Sequence, residues 1–274
     1  MAVAAVLYAN SIDFSDIATL RYASIQLGYI NITNQYIELA VRCYERECGD
    51  EPIESIARSV NLSISTLPED YYARVSKGYL VGIQSCFEKY LLAFKELCGN
   101  PTENIEKYDP KKQNTNRLQW ILKACYGNSL PDDIREYYHI CNYYRLTRNQ
   151  SVHINDQSAE YKNARALVEN LDRTLLKSGM CDRLDAPHSI EALTFDDQIL
   201  FSRAARMLAE RIYKDSKYNW NKILTANRES IVSVAGTVRD DMERRNTKII
   251  NFLIQTYPAK NQPELVECLQ SFVL

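Results

Sequence analysis

Three observations predict an all-α fold. Apolar residues recur at three- and four-residue intervals along nearly the whole chain. Glycine and proline number only 8 each in 274 residues, so long helices meet few breaks. Strand-like alternation is confined to one short piece, Tyr29-Ile30-Asn31-Ile32. With 46% of residues apolar, the chain can bury a sizeable core.

The elements follow in chain order. Ile17, Leu20, Ser24 and Leu27 predict a first helix ending near Gly28, followed by the short extended piece. Ile37, Ala40, Val41 and Tyr44 predict a second helix stopped at Gly49, and a third, modest one spans 52–60 with Pro52 in its first turn. From Pro68 a continuous stripe of Tyr72, Val75, Tyr79, Ile83, Phe87, Leu91, Phe94 and Cys98 predicts a long helix, broken by Gly99-Asn100-Pro101. Residues 101–115 are polar and carry two prolines, which reads as a solvated loop; its Lys111-Lys112 pair is the one part suited to phosphate.

A short helix over Leu118 to Cys125 closes at Gly127. Pro131-Asp132-Asp133 then opens a helix through Ile134, Tyr137, Tyr138, Cys141, Tyr144, Arg148 and Val152, because proline and acidic side chains favour a helix start. Tyr161, Ala164, Val168, Leu171 and Leu175 form the next, ending at Gly179. Residues 178–190 read as the main linker. Ile199, Ala204, Leu208 and Ile212 begin a C-terminal helical layer. Val234, Val238, Met242, Ile249 and Leu253 carry it to Tyr257-Pro258, and a last short helix holds Leu265, Cys268 and Phe272. The expected division is an N-terminal helical extension at 1–66, a central bundle at 67–178 and a C-terminal helical region at 179–274.

Composition excludes several classes. A net charge of −2 gives no global positive field, so any RNA contact has to rely on a local patch. The 8 cysteines are scattered and form no Cys-x-x-Cys pair, which argues against zinc and for free, reduced thiols in a cytoplasmic protein. The apolar start, Met1 to Tyr8, is short and unpreceded by a basic residue, and no run suits a membrane span. Neither a phosphate-binding glycine loop, nor Gly-x-Ser-x-Gly, nor His-Glu-x-x-His is present. No cofactor is implied.

Chemistry concentrates in Arg148-Asn149-Gln150-Ser151-Val152-His153. A histidine moves protons near neutral pH, and a guanidinium holds phosphate oxygens. Asn149 and His153, four residues apart, share a helix face. Arg148 lies close to the apolar stripe of Tyr137, Cys141, Tyr144 and Val152, where its charge needs either an acidic partner or a cleft that admits an anion. Tyr144 and Arg145, just before the motif, are candidate RNA contacts, although most of the 19 tyrosines suit ordinary helix interfaces. His139 reads as a surface or dimer-rim histidine, and Arg244, Arg245 and Lys248 beside Asp240, Asp241 and Glu243 read as a salt-bridged face.

Arg148, Asn149 and His153 resemble the signature of the HEPN superfamily: an arginine, a polar residue after it, and a histidine following four intervening residues. The amphipathic approach through Ile134 to Leu146 and the long helix at 68–98 are similar to the core of that family, over roughly 68–178. A second Arg-x4-His, Arg183 to His188, has leucine after the arginine and an interrupting proline, and reads as a coincidence. The resemblance implies metal-independent endonucleolytic cleavage of RNA: His153 as general acid or base, Arg148 stabilising the phosphate, Asn149 orienting it. It also implies a homodimer with a composite active site, and a toxin or antiviral defence setting with an inhibitory antitoxin or defence-system partner. The alternative is a non-catalytic helical module of the same kind that binds RNA, a nucleotide or a partner protein. A third is a scaffold in which Arg148 pairs with a buried acid.

Overall fold

The computed structural model describes residues 18–48, 51–64, 66, 70–97, 116–152, 158–171, 184–215, 219–237, 241–256 and 262–272. Among them the protein is all-α, with eleven helices. These are α1 (Ala18–Cys48), α2 (Ile53–Ser59), α3 (Tyr71–Leu97), α4 (Arg117–Tyr126), α5 (Asp132–Val152) and α6 (Ala159–Glu169). There follow α7 (Phe195–Asp215), α8 (Trp220–Ala226), α9 (Arg228–Gly236), α10 (Met242–Thr256) and α11 (Gln262–Ser271). No helix among the described residues is long and apolar enough to cross a membrane.

The largest departure from the sequence reading lies in α1. Gly28 does not end a helix and Tyr29 to Ile32 are not extended; one helix runs 31 residues through both. A glycine inside a helix costs only about 1 kcal/mol relative to alanine, which flanking packing outweighs. The C-terminal layer is more finely divided than its periodicity suggests, because Asn219 caps a separate α8 by accepting from the Lys222 amide at 3.1 Å. Elsewhere local signals hold. Asn116 accepts from the Gln119 amide at 2.9 Å to start α4, and Gly127, at φ +72°, closes it. Pro52 sits at the N-cap of α2, just before the first helical residue.

The chain forms two compact units, each assembled from separated stretches, and the boundary between them falls inside α1, α3 and α7. The first unit, from 26–86 and 132–208, carries Arg148. Its core is aromatic: the rings of Tyr143 and Tyr161 stack at 5.7 Å, Tyr144 lies 5.2 Å from Phe201, and Tyr79 meets Phe195 edge-on at 5.8 Å. The inward side of α1 carries several polar side chains. Asn31 donates to Ser202 at 2.8 Å and accepts from Gln198 at 3.0 Å, while Glu38 accepts from Arg42 and from the Tyr72 hydroxyl.

Two glycines of α3 make a contrasting pair. A Cβ built on Gly78 meets nothing within 4 Å, whereas one on Gly82 comes within 3.0 Å of the Ile30 Cγ2 methyl of α1. Gly78→Ala is therefore expected to stabilise the protein by about 0.5–1 kcal/mol. Gly82→Ala is expected to lose that gain by forcing Ile30 aside. Urea midpoints of the two variants check the difference.

The second unit holds the rest of the described chain. Tyr90 on α3 stacks with Phe87 and Phe94 and donates its hydroxyl to the Ala209 carbonyl at 2.8 Å. Arg117 pairs with Glu88 at 2.6 Å, which ties α4 to α3. The short helices α8 to α11 pack against one another around buried Trp220, Ile223, Leu224, Ile249, Leu253 and Leu265.

Candidate functional site

Helix α5 starts with Asp132 and Asp133, whose charges suit the positive end of the helix. It pairs with α6 in antiparallel order. Tyr143 meets Tyr161, Arg145 meets Glu160 at 3.0 Å, and Gln150 meets Ser158 at 3.4 Å, so each later residue on α5 faces an earlier one on α6. Ser158 caps α6 by accepting from the Tyr161 amide at 3.2 Å. Within α5, Tyr143, Tyr144, Leu146 and Thr147 are enclosed. Arg148, Asn149 and Gln150 are half-exposed, so the helix emerges from the core at the start of the motif.

The structure brings two of the three motif residues into contact. Arg148 Nη1 donates to Asn149 Oδ1 at 3.1 Å, so the guanidinium and the amide form one polar group. With Oδ1 engaged, the amide nitrogen of Asn149 is the donor available to an anion. His153 lies outside the described residues, as do Lys111, Lys112 and Arg183.

The two candidate RNA contacts take other roles. Tyr144 is 0% exposed and donates its hydroxyl to Asp197 Oδ1 at 2.8 Å, which corrects the expectation that its ring meets a base. An enclosed ring has no face to stack on. Arg145 grips Asn142 Oδ1 from Nε at 3.1 Å and from Nη2 at 2.9 Å, and it also binds Glu160. Its charge is matched within the α5–α6 pair, so a phosphate would have to displace a carboxylate.

A different cluster escaped the sequence reading. Asp197 on α7 is fully buried and accepts from five donors. They are the Tyr144 hydroxyl, the His188 amide at 2.8 Å, the His188 ring Nδ1 at 2.8 Å, the Thr194 amide at 2.9 Å and the Thr194 hydroxyl at 3.3 Å. Tyr143 donates to the His188 carbonyl as well. His188, the end of the second Arg-x4-His match, is thus fastened to the motif helix. The available signal was Thr194-x-x-Asp197, an acid three residues after a helix-capping threonine.

His139 is half-buried rather than surface-exposed, with its ring 5.4 Å from that of Tyr138. Burial first, and Arg135 second, hold its pKa below the usual value of 6.5. The folded chain therefore favours the neutral ring, while the unfolded chain takes up a proton near pH 6.5. Stability contributed by the neutral ring is present above that pH and is lost as the pH falls through it toward the folded value. Urea midpoints at about pH 5 and about pH 7 should differ more for the wild type than for His139→Gln.

Cys86 and Cys141 are buried, and burial raises the Cys141 thiol well above its ordinary value. Cys43, Cys48, Cys125 and Cys268 are free and half-buried. Among the described residues no group of three or more His, Cys, Asp or Glu side chains is placed to hold a metal ion. Comparison of the chain with family models, with curated proteins and with solved structures returns no match.

Proposed function

We propose that the protein is a metal-independent endoribonuclease of the HEPN type, acting through Arg148, Asn149 and His153. The observation that carries this reading is the Arg148–Asn149 contact at the point where α5 leaves the core. A guanidinium whose fork is held beside an amide donor presents converging N–H groups to a phosphate. In this mechanism His153 takes the proton of a ribose 2′-hydroxyl, the oxygen attacks the adjacent phosphorus, and the bond to the 5′-oxygen breaks as that oxygen takes a proton from the resulting imidazolium. Arg148 and Asn149 hold the phosphate oxygens as negative charge builds on them. The products are a 2′,3′-cyclic phosphate and a 5′-hydroxyl.

Two copies of the chain meeting around one RNA strand would complete the site. Such cleavage harms the cell that carries it, which fits a toxin or antiviral effector held by an inhibitory partner. The test is a fluorescent RNA incubated with the purified chain in EDTA. Cleavage ending in a cyclic phosphate, with DNA of the same sequence spared, is the expected result. Binding without cleavage would instead assign Arg148 and Asn149 to a module that binds RNA, a nucleotide or a partner protein.

A further inference from the structure

We infer that α1 pairs with α1 of a second copy of this chain, antiparallel, along the seam Tyr29, Ile32, Tyr36 and Leu39. These side chains are 53%, 36%, 74% and 58% exposed, and they fall three, four and three residues apart. That spacing is the a/d repeat of a helix-to-helix seam. The opposite face of α1 carries buried Asn34 and Glu38 and half-buried Asn31. The helix thus spends part of its inward face on polar side chains, beside Ile30, and leaves four large apolar side chains outward over about 15 Å. Such a stripe marks a contact surface, because exposed apolar side chains of this size gain most by leaving water.

The seam itself selects the occupant. From Gln26 to Val41 the only charged residue is Glu38, and its carboxylate is buried, accepting from Arg42 and Tyr72. The flanking positions Gln26, Gly28, Thr33, Gln35 and Ala40 are uncharged. Two identical faces meet there without like-charge repulsion, and a partner chosen by charge finds nothing to match. The order of residues is also self-complementary. In an antiparallel pair centred at position 34, Tyr29 lies level with Leu39 of the second copy and Ile32 with its Tyr36. All four layers then set a tyrosine against an aliphatic side chain, and the two-fold axis closes the assembly at two chains. A parallel pair would stack tyrosine on tyrosine in two layers. Pairing through α1 does not depend on whether the chain cleaves RNA.

Light scattering and sedimentation of the full chain test the seam. The wild type is expected to be a dimer, and Tyr36→Glu to weaken it by at least about 100-fold, with an unchanged circular dichroism spectrum. The double variant Ile32→Lys with Tyr36→Glu sets each new lysine level with a glutamate of the other copy, and should recover at least about tenfold of that loss. Val232→Glu, at an exposed apolar position on α9, should leave the dimer intact. A monomeric wild type would overturn the pairing and assign the face to another occupant. A dimer indifferent to Tyr36→Glu would place the interface elsewhere, and a double variant no better than the single one would overturn the antiparallel order.

Discussion

Arg148→Ala is expected to lower RNA cleavage by about 100- to 1,000-fold, the usual cost of removing one preorganised donor to a developing oxyanion. His153→Ala is expected to cost about 100- to 10,000-fold, the range that general acid–base catalysis supplies. Arg148 is half-exposed, so its truncation opens no buried hole and the helices should be unchanged in circular dichroism. Arg148→Lys keeps the charge but loses the fork that contacts Asn149 at 3.1 Å, and should fall between wild type and alanine. If expression of the wild type slows growth, the two alanine variants should relieve it. Full cleavage by both purified variants would reject the proposed chemistry. Arg145→Ala is the informative contrast. Its guanidinium is bound to Asn142 and Glu160, so the change should loosen the α5–α6 pair more than it slows catalysis.

Asp197→Ala should destabilise the first unit by about 3–5 kcal/mol, the cost of breaking a buried charged group away from its partners. The reason is the number of donors left behind. The Tyr144 hydroxyl, the His188 amide and ring, and the Thr194 amide would all lose a carboxylate that is itself fully enclosed. Tyr144→Phe removes one of those bonds and should cost only about 1 kcal/mol. Combined, the two substitutions should cost less than the sum of their separate effects, because both remove the same hydrogen bond. Urea denaturation of the four proteins measures this coupling. Additive losses would show that Tyr144 and Asp197 do not act together.

The two predictions differ in how much of their basis was visible beforehand. Arg148, Asn149 and His153 lie within six residues, so helical periodicity alone put Asn149 and His153 on one face with Arg148 beside the apolar stripe, while the Arg148–Asn149 contact came from the structure. Asp197 lies 9 residues from His188 and 53 from Tyr144. No local pattern records that meeting. Tyr144 illustrates the same limit: its position next to the motif suggested a contact with RNA, but only the approach of Phe201 and Asp197 shows that its ring is enclosed.

Local chemistry by itself determined the helical class, the end of α4 at Gly127 and the start of α5 after Pro131, since caps and turn residues act within a few positions. It also singled out Arg148 and Asn149. Only the tertiary structure decided that Gly28 lies within one long helix, that separated stretches of the chain build each unit, and that α1 turns Asn31 and Glu38 inward and Tyr36 outward. Those outcomes depend on which distant surfaces meet. Burying a polar side chain is tolerable only when a partner from elsewhere in the chain satisfies it, as Ser202 does for Asn31.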